Sequence, residues 1–125
     1  MLEIKDAQID LKATTADFKY MCQNLLDNAI KYAPDSAQIK ITLVKKNKNF
    51  VIEFFNSGSY IPPQYQRMIF ERFYRLNTPS KKTQEGSGLG LNIVLYLSQK
   101  YHGKISLKSS PTQGTSFYLT LPLSS

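Results

Sequence analysis

Gln23-Asn24-Leu25-Leu26-Asp27-Asn28-Ala29-Ile30-Lys31-Tyr32 is the stretch from which the rest of the chain is read. Phe18, Met21, Cys22, Leu25, Leu26, Ala29 and Ile30 follow the i, i+3, i+4, i+7 spacing of one buried helix face. Asn24, Asn28 and Lys31 are spaced by four and three, so they share a second face. Two amides and an ammonium in line beside a core face offer carbonyl oxygens to a hard cation and positive charge to phosphate. The same spacing equally suits an ordinary amphipathic helix with a wet polar side. Residues further along decide between the two.

Around this helix the elements follow from local signals. Thr14-Thr15 offers an N-cap and Asp17 suits the first turn. Pro34 ends the helix, because a residue before proline is pushed out of the helical region. Upstream, residues 2–5 and 9–12 are short candidate strands with weak alternation. Downstream, Ile39, Ile41 and Leu43 alternate with polar residues as a half-buried strand. Residues 50–55 are more fully apolar and central, and a turn at 45–49 pairs the two as a hairpin.

Asn56-Ser57-Gly58-Ser59 breaks that strand. Pro62 and Pro63 suit the start of a short helix carrying Tyr65, Met68, Ile69 and Phe73. Residues 76–85 lack periodicity and read as a mobile loop, of a length that is often functional in a compact domain. Gly86-Ser87-Gly88-Leu89-Gly90 opens a helix with Leu91, Val94, Leu95, Ser98 and Tyr101 toward one side, and Gly103 stops it. Ile105 and Leu107, then Phe117, Leu119 and Leu121, form a second hairpin about a turn at 110–114. Interleaved strands and helices predict an α/β two-layer sandwich (α+β), a mixed β-sheet covered on one face by helices.

The 125 residues suit one domain with one core, spanning 1–125. No window approaches the 18 apolar residues of a membrane span, and no signal peptide is evident. The single cysteine, Cys22, lies on the apolar helix face as a reduced core residue, which fits a cytoplasmic setting. The net charge of +7 is spread along the chain, with Lys45, Lys46 and Lys48 at a hairpin turn and Lys81-Lys82 in a polar loop. Such a surface suits a polyanionic nucleotide as well as a nucleic acid. No internal repeat or low-complexity tract is present.

Alternating glycines after a polar loop and before a helix let backbone N–H groups approach phosphates at a positive helix end. No Gly-Lys-Ser/Thr follows, so this is not a P-loop. The G-x-G-x-G spacing and the preceding loop exclude the dinucleotide fingerprint. The Val-Ala-Ile-Lys, His-Arg-Asp and Asp-Phe-Gly stretches of a eukaryotic-type kinase are absent.

Taken in order, the motifs resemble those of sensor histidine kinases. Asn24-x-x-x-Asn28-Ala-x-Lys31-Tyr32 resembles their N box and Asn56-x-Gly58-x-x-Ile61-Pro62 their first glycine box. Ile69-Phe70-Glu71-Arg72-Phe73-Tyr74-Arg75 is similar to the F box, and Gly86-Ser87-Gly88-Leu89-Gly90-Leu91 to the second glycine box. His102-Gly103, and Gly114-Thr115-x-Phe117 through Leu121-Pro122, are similar to the family's C-terminal hairpin. The likeness covers nearly the whole chain.

That resemblance implies the Bergerat ATP-binding fold, shared with gyrase-type and chaperone ATPases, with ATP and Mg²⁺ as ligands. It makes Asn28 the magnesium ligand, with Asn24 at or near the metal. Lys31 then faces phosphate, Tyr32 lines the nucleotide, and Arg75 reaches the phosphates from the edge of a lid. Asn56 takes the slot that reads the adenine amino group, with Thr115 nearby. Gly58, Ile61, Gly86, Ser87, Gly88, Leu89, Gly90 and Leu91 complete the nucleotide-binding set.

Two slots depart from the pattern, since aspartate and a second glycine are usual where Asn56 and Tyr60 stand. Asparagine keeps an acceptor for the adenine N6–H. Restoring the charge by Asn56→Asp is expected to tighten ATP binding about fivefold.

The activity implied is transfer of the γ-phosphoryl group of Mg-ATP to a histidine on a separate dimerisation domain, in two-component signalling. A response regulator takes the phosphoryl group next. Asn24 stands where related ATPases carry a water-activating glutamate, which argues against a true ATPase. An anti-sigma-type serine kinase, or a degraded nucleotide-sensing or protein-binding domain, remains the alternative. The only histidine, His102, sits at a helix end and suits its dipole rather than an acceptor role. The module is expected to be cytoplasmic, with no nucleic-acid or membrane contact of its own, within a membrane-anchored parent.

Overall fold

A computed structural model describes residues 13–31, 33–71 and 90–123. Its elements are α1 (Thr15–Lys31), β1 (Ile39–Lys46), β2 (Asn49–Asn56), 3-10 turns at Pro63–Tyr65 and Met68–Phe70, α2 (Gly90–Lys100), β3 (Lys104–Ser110) and β4 (Gly114–Pro122). Alternation decides which side of the sheet is inside. Phe50, Ile52, Phe54 and Asn56 are buried along β2, and Thr115, Phe117, Leu119 and Leu121 along β4. Period-two side chains put these residues on one face. Met21 and Leu25 of α1 and Val94 and Leu97 of α2 pack down on that face. Each such large side chain contributes about 1.5–3 kcal/mol by leaving water.

The strand order is β1-β2-β4-β3, and every pairing among the described residues is antiparallel. The sheet was expected to be mixed. The β2–α2–β3 crossover does bring β3 back in the direction of β2. The closing hairpin then inserts β4 between them, so no parallel pair touches. The candidate strands at 2–5 and 9–12 lie outside the described residues.

Helix α1 starts as the sequence predicts. Thr14 Oγ1 accepts from the Asp17 N–H at 3.1 Å, which satisfies one of the unpaired donors of the first turn. The two helices are joined at one end. The Asp17 carboxylate accepts from the Tyr101 hydroxyl and, at 3.2 Å, from the Lys100 ammonium.

The single short helix expected after Pro62 is instead two 3-10 turns, and Phe73 lies outside the described residues. No side chain caps either turn, and their bonds close i to i+3: Tyr65 N to Pro62 O, Gln66 N to Pro63 O, Glu71 N to Met68 O. Helix α2 ends at Lys100, three residues before the expected glycine. His102 adopts φ 61° while the Gly103 N–H bonds back to Ser98 O at 2.7 Å. Glycine is needed at 103 for a different reason, since a Cβ there would lie 2.1 Å from the Thr120 carbonyl oxygen. No helix among the described residues is long and apolar enough to cross a membrane.

Candidate functional site

The polar residues singled out in the sequence gather where the C-terminal half of α1 meets the start of α2 and the ends of β2 and β4. Asn24 and Asn28 are half-buried on α1, one turn apart. Asn24 Nδ2 donates to the Tyr20 carbonyl at 2.8 Å, which turns its oxygen toward α2. Gly90 meets it there. A Cβ on Gly90 would lie 2.5 Å from Asn24 Oδ1, so any side chain there would displace this amide oxygen. Lys31, in the last turn of α1, complements the negative helix end.

Asn28 Nδ2 is buried and has no hydrogen-bond partner among the described residues. An orphaned buried amide costs about 1–3 kcal/mol. It is relieved by a bound group that accepts from it, or by an amide rotation that turns the oxygen to a cation. Among the described residues no three His, Cys, Asp or Glu side chains gather as a metal cluster. A magnesium ion needs few protein ligands when nucleotide phosphates and waters fill the rest of its shell. The amide pair therefore fits a Mg²⁺-nucleotide and does not fit a free transition metal.

The second half of the site is a buried hydrogen-bonded chain. Asn56 and Thr115 are directly opposed between β2 and β4, and both are almost fully buried. Gly114 allows this closeness: its φ is +106°, and a Cβ would lie 2.3 Å from the Asn56 carbonyl oxygen. Asn56 Nδ2 donates to the Ala29 carbonyl at 3.2 Å, and Asn56 Oδ1 accepts from the Ser59 hydroxyl. Thr115 Oγ1 donates to the Ser59 carbonyl at 3.1 Å. Its one proton being spent, the 2.7 Å contact with Ser109 Oγ is donated by Ser109. Ser109 in turn accepts from the Ile61 N–H at 2.8 Å.

The turn bearing Gly58 closes over this chain. Gly58 has φ +78°, and a Cβ there would be 2.8 Å from Pro34. Ser57 exchanges two bonds with Gln38, at 2.9 and 2.7 Å. Tyr60 is absent from the positive-φ positions, so its backbone path does not require the missing glycine. Asn92 Nδ2 donates to the Phe70 carbonyl at 3.2 Å and ties the end of the second 3-10 turn to α2.

Asn24, Asn28, Lys31, Asn56, Gly58, Ile61, Gly90, Leu91 and Thr115 are thus all described. Ile61 is buried, and Leu91 packs on the core. Tyr32, Arg75, Gly86, Ser87, Gly88 and Leu89 lie outside the described residues, as does the loop at 76–85. Sequence reasoning missed Ser59 and Ser109. Ser109 was within reach, because counting back across the 110–114 turn sets it opposite Thr115. Ser59 carried no such signal.

Residues 13–125 match the family described as Histidine kinase-, DNA gyrase B-, and HSP90-like ATPase. The signal transduction histidine-protein kinase ArlS of Staphylococcus aureus is 35% identical over 115 residues, covering 92% of this chain and 26% of ArlS. The chain thus spans about a quarter of the length of the curated relatives it matches. Among solved structures, the mycobacterial sensor histidine kinase MprB superposes with a TM-score of 0.76 at 28% identity, covering 89% of this chain and 73% of that one. The nucleotide-free catalytic domain of histidine kinase ThkA gives 0.74 at 28% identity, covering 90% and 70%.

Proposed function

The chain belongs to the histidine kinase-, DNA gyrase B- and HSP90-like ATPase family, and from that membership we propose that it is the ATP-binding catalytic module of a sensor histidine kinase. It binds Mg-ATP and delivers the γ-phosphoryl group to a histidine on a separate dimerisation domain, from which a response regulator takes it. The observation that carries this reading is the buried Asn28 amide nitrogen, unpartnered among the described residues, between the Asn24–Gly90 approach and the Asn56–Thr115 chain.

Phosphoryl transfer asks a protein mainly for positioning and charge neutralisation. Asn28, with Asn24 beside it, would hold Mg²⁺, which supplies neutralisation of the phosphoryl oxygens when bound. Lys31 and the backbone at Gly90 face the phosphates, with Tyr32, Arg75 and residues 86–89 proposed to complete their surround. Asn56 and Thr115, with Gly58 and Ile61 beside them, form the base end. Asn24 is an amide and takes up no proton at neutral pH, so it activates no water. This favours a protein acceptor over hydrolysis. The module would work on the cytoplasmic side of a membrane-anchored parent, where ATP is supplied.

Calorimetric titration with Mg-ATP tests the binding. The native chain should bind, and Asn28→Ala should lose the Mg²⁺-dependent part of the affinity while keeping its fold. Adding the cognate dimerisation domain should then yield acid-labile, base-stable phosphohistidine on that partner. Unchanged Mg-ATP affinity in Asn28→Ala would refute the assignment, and labelling of His102 in the isolated chain would refute the need for a partner.

A further inference from the structure

We infer that Asn56 is a positioning residue for the turn of α1 that carries Asn28 and Lys31, and that its amide proton is what suits asparagine to this position. The inference rests on the nucleotide reading above and adds a role for Asn56 besides any contact with the base.

The last carbonyls of a helix have no partner within it. At the end of α1 the Ala33 N–H bonds to Ile30 O at 3.3 Å, an i to i+3 closure. The Ala29 carbonyl, one residue further back, takes its proton from Asn56 Nδ2 in a buried bond. Ala29 itself has no exposed surface, so water is a poor substitute there. Asn56 is held on its other side as well, because Ser59 donates to its Oδ1 and Thr115 holds the Ser59 backbone. The bond therefore fastens α1, at the residue following Asn28, to the end of the central strand β2.

An ionised aspartate has acceptors only. In this slot it would set a carboxylate against the Ala29 carbonyl and leave α1 untethered at that turn. Asparagine gives up negative charge toward the base and gains a donor toward the helix. Tethering matters for a metal site because its ligands must be held to a fraction of an ångström by their supporting bonds. The substitution is thus a working exchange, and the base end and the metal end of the site share one side chain.

The test compares nucleotide affinity with and without the metal. Kd for ATP is measured by calorimetry in Mg²⁺ and in EDTA, for the native chain and for Asn56→Asp, with adenosine titrated separately to read the base contact alone. The ratio of the ATP constant in EDTA to that in Mg²⁺ should fall about tenfold in Asn56→Asp, whatever happens to adenosine. An unchanged ratio in a folded Asn56→Asp chain overturns the inference. Should that variant not fold, Ser59→Ala unpins the far side of the same amide, and the ratio should fall about threefold. An unchanged ratio there overturns it too. A native chain that binds no Mg-ATP refutes the nucleotide reading itself, which is a separate outcome.

Discussion

Gly90→Ala should separate the geometry of the site from the stability of the fold. The added Cβ would stand 2.5 Å from Asn24 Oδ1, closer than real Cβ contacts come. The oxygen ends a side chain and can swing away, but its Nδ2 is bonded to the Tyr20 carbonyl at 2.8 Å. Breaking that bond at an exposed site costs about 0.5–1.5 kcal/mol. Alanine in place of glycine at a helical position returns about 0.5–1 kcal/mol. The two nearly cancel, so the melting temperature should move by no more than about 4 °C. The amide oxygen, however, must move by roughly 1 Å to reach ordinary contact, and a misplacement of that size can cost about a hundredfold in rate. Differential scanning calorimetry reads the first quantity. The initial rate of phosphohistidine formation on the added dimerisation domain, at saturating Mg-ATP, reads the second. Unchanged transfer by a folded Gly90→Ala chain would refute the placement of Asn24 against the reacting phosphate. A loss of stability beyond about 3 kcal/mol would show that the close approach serves packing instead.

Gly114→Ala meets backbone on both sides at φ +106°, with Asn56 O at 2.3 Å and Ser57 Cα at 2.9 Å. It should lose about 3 kcal/mol in denaturant titration, and a loss below about 1 kcal/mol would mean that the hairpin shifts freely. Burial pushes the Cys22 thiol up to about 12, so a disulfide reagent at pH 8 should label it more slowly in the native chain than in guanidinium. Labelling of the native chain as fast as in guanidinium would contradict that environment. The Tyr101 hydroxyl, and then Lys100, hold the Asp17 carboxyl below its ordinary value of 3.8. Stability from this contact is present above the unfolded value and is lost as pH falls through the lower native one. Tyr101→Phe should therefore be less stable than the native chain at neutral pH, with the difference closing as pH falls through the lowered native value. A gap that stays constant through acid titration would rule the carboxylate out as its source.

Local signals were the legible part of this fold. Thr14 caps α1 and Pro34 closes it because both act on their immediate neighbours, and alternation in β2 and β4 is visible one strand at a time. Where an outcome depended on what the chain meets elsewhere, local pattern misled. Residues 63–70 carry apolar side chains at helical spacing, yet their bonds close as two separate 3-10 turns. His102 takes the left-handed position while Gly103 answers to Thr120, a residue on another strand. The site divides in the same way. Asn24, Asn28, Asn56 and Thr115 were singled out by spacing and resemblance. The groups that orient them are a helix carbonyl 27 residues from Asn56 and a serine carbonyl 56 residues from Thr115.

A backbone oxygen leaves no mark in a sequence, and this changes the sign of a prediction. With only the side chain in view, Asn56 is a weakened acceptor, and Asn56→Asp should tighten ATP binding. With the Ala29 carbonyl against Nδ2, the amide proton becomes the part of the residue that cannot be replaced. An added carboxylate then faces an oxygen it can only repel, in a place with almost no exposure to relieve it. The gain of roughly 1 kcal/mol for a charged over a neutral acceptor is set against a buried carbonyl left unsatisfied, at about 1–3 kcal/mol. The second is equal or larger, so Asn56→Asp should fail to tighten Mg-ATP binding.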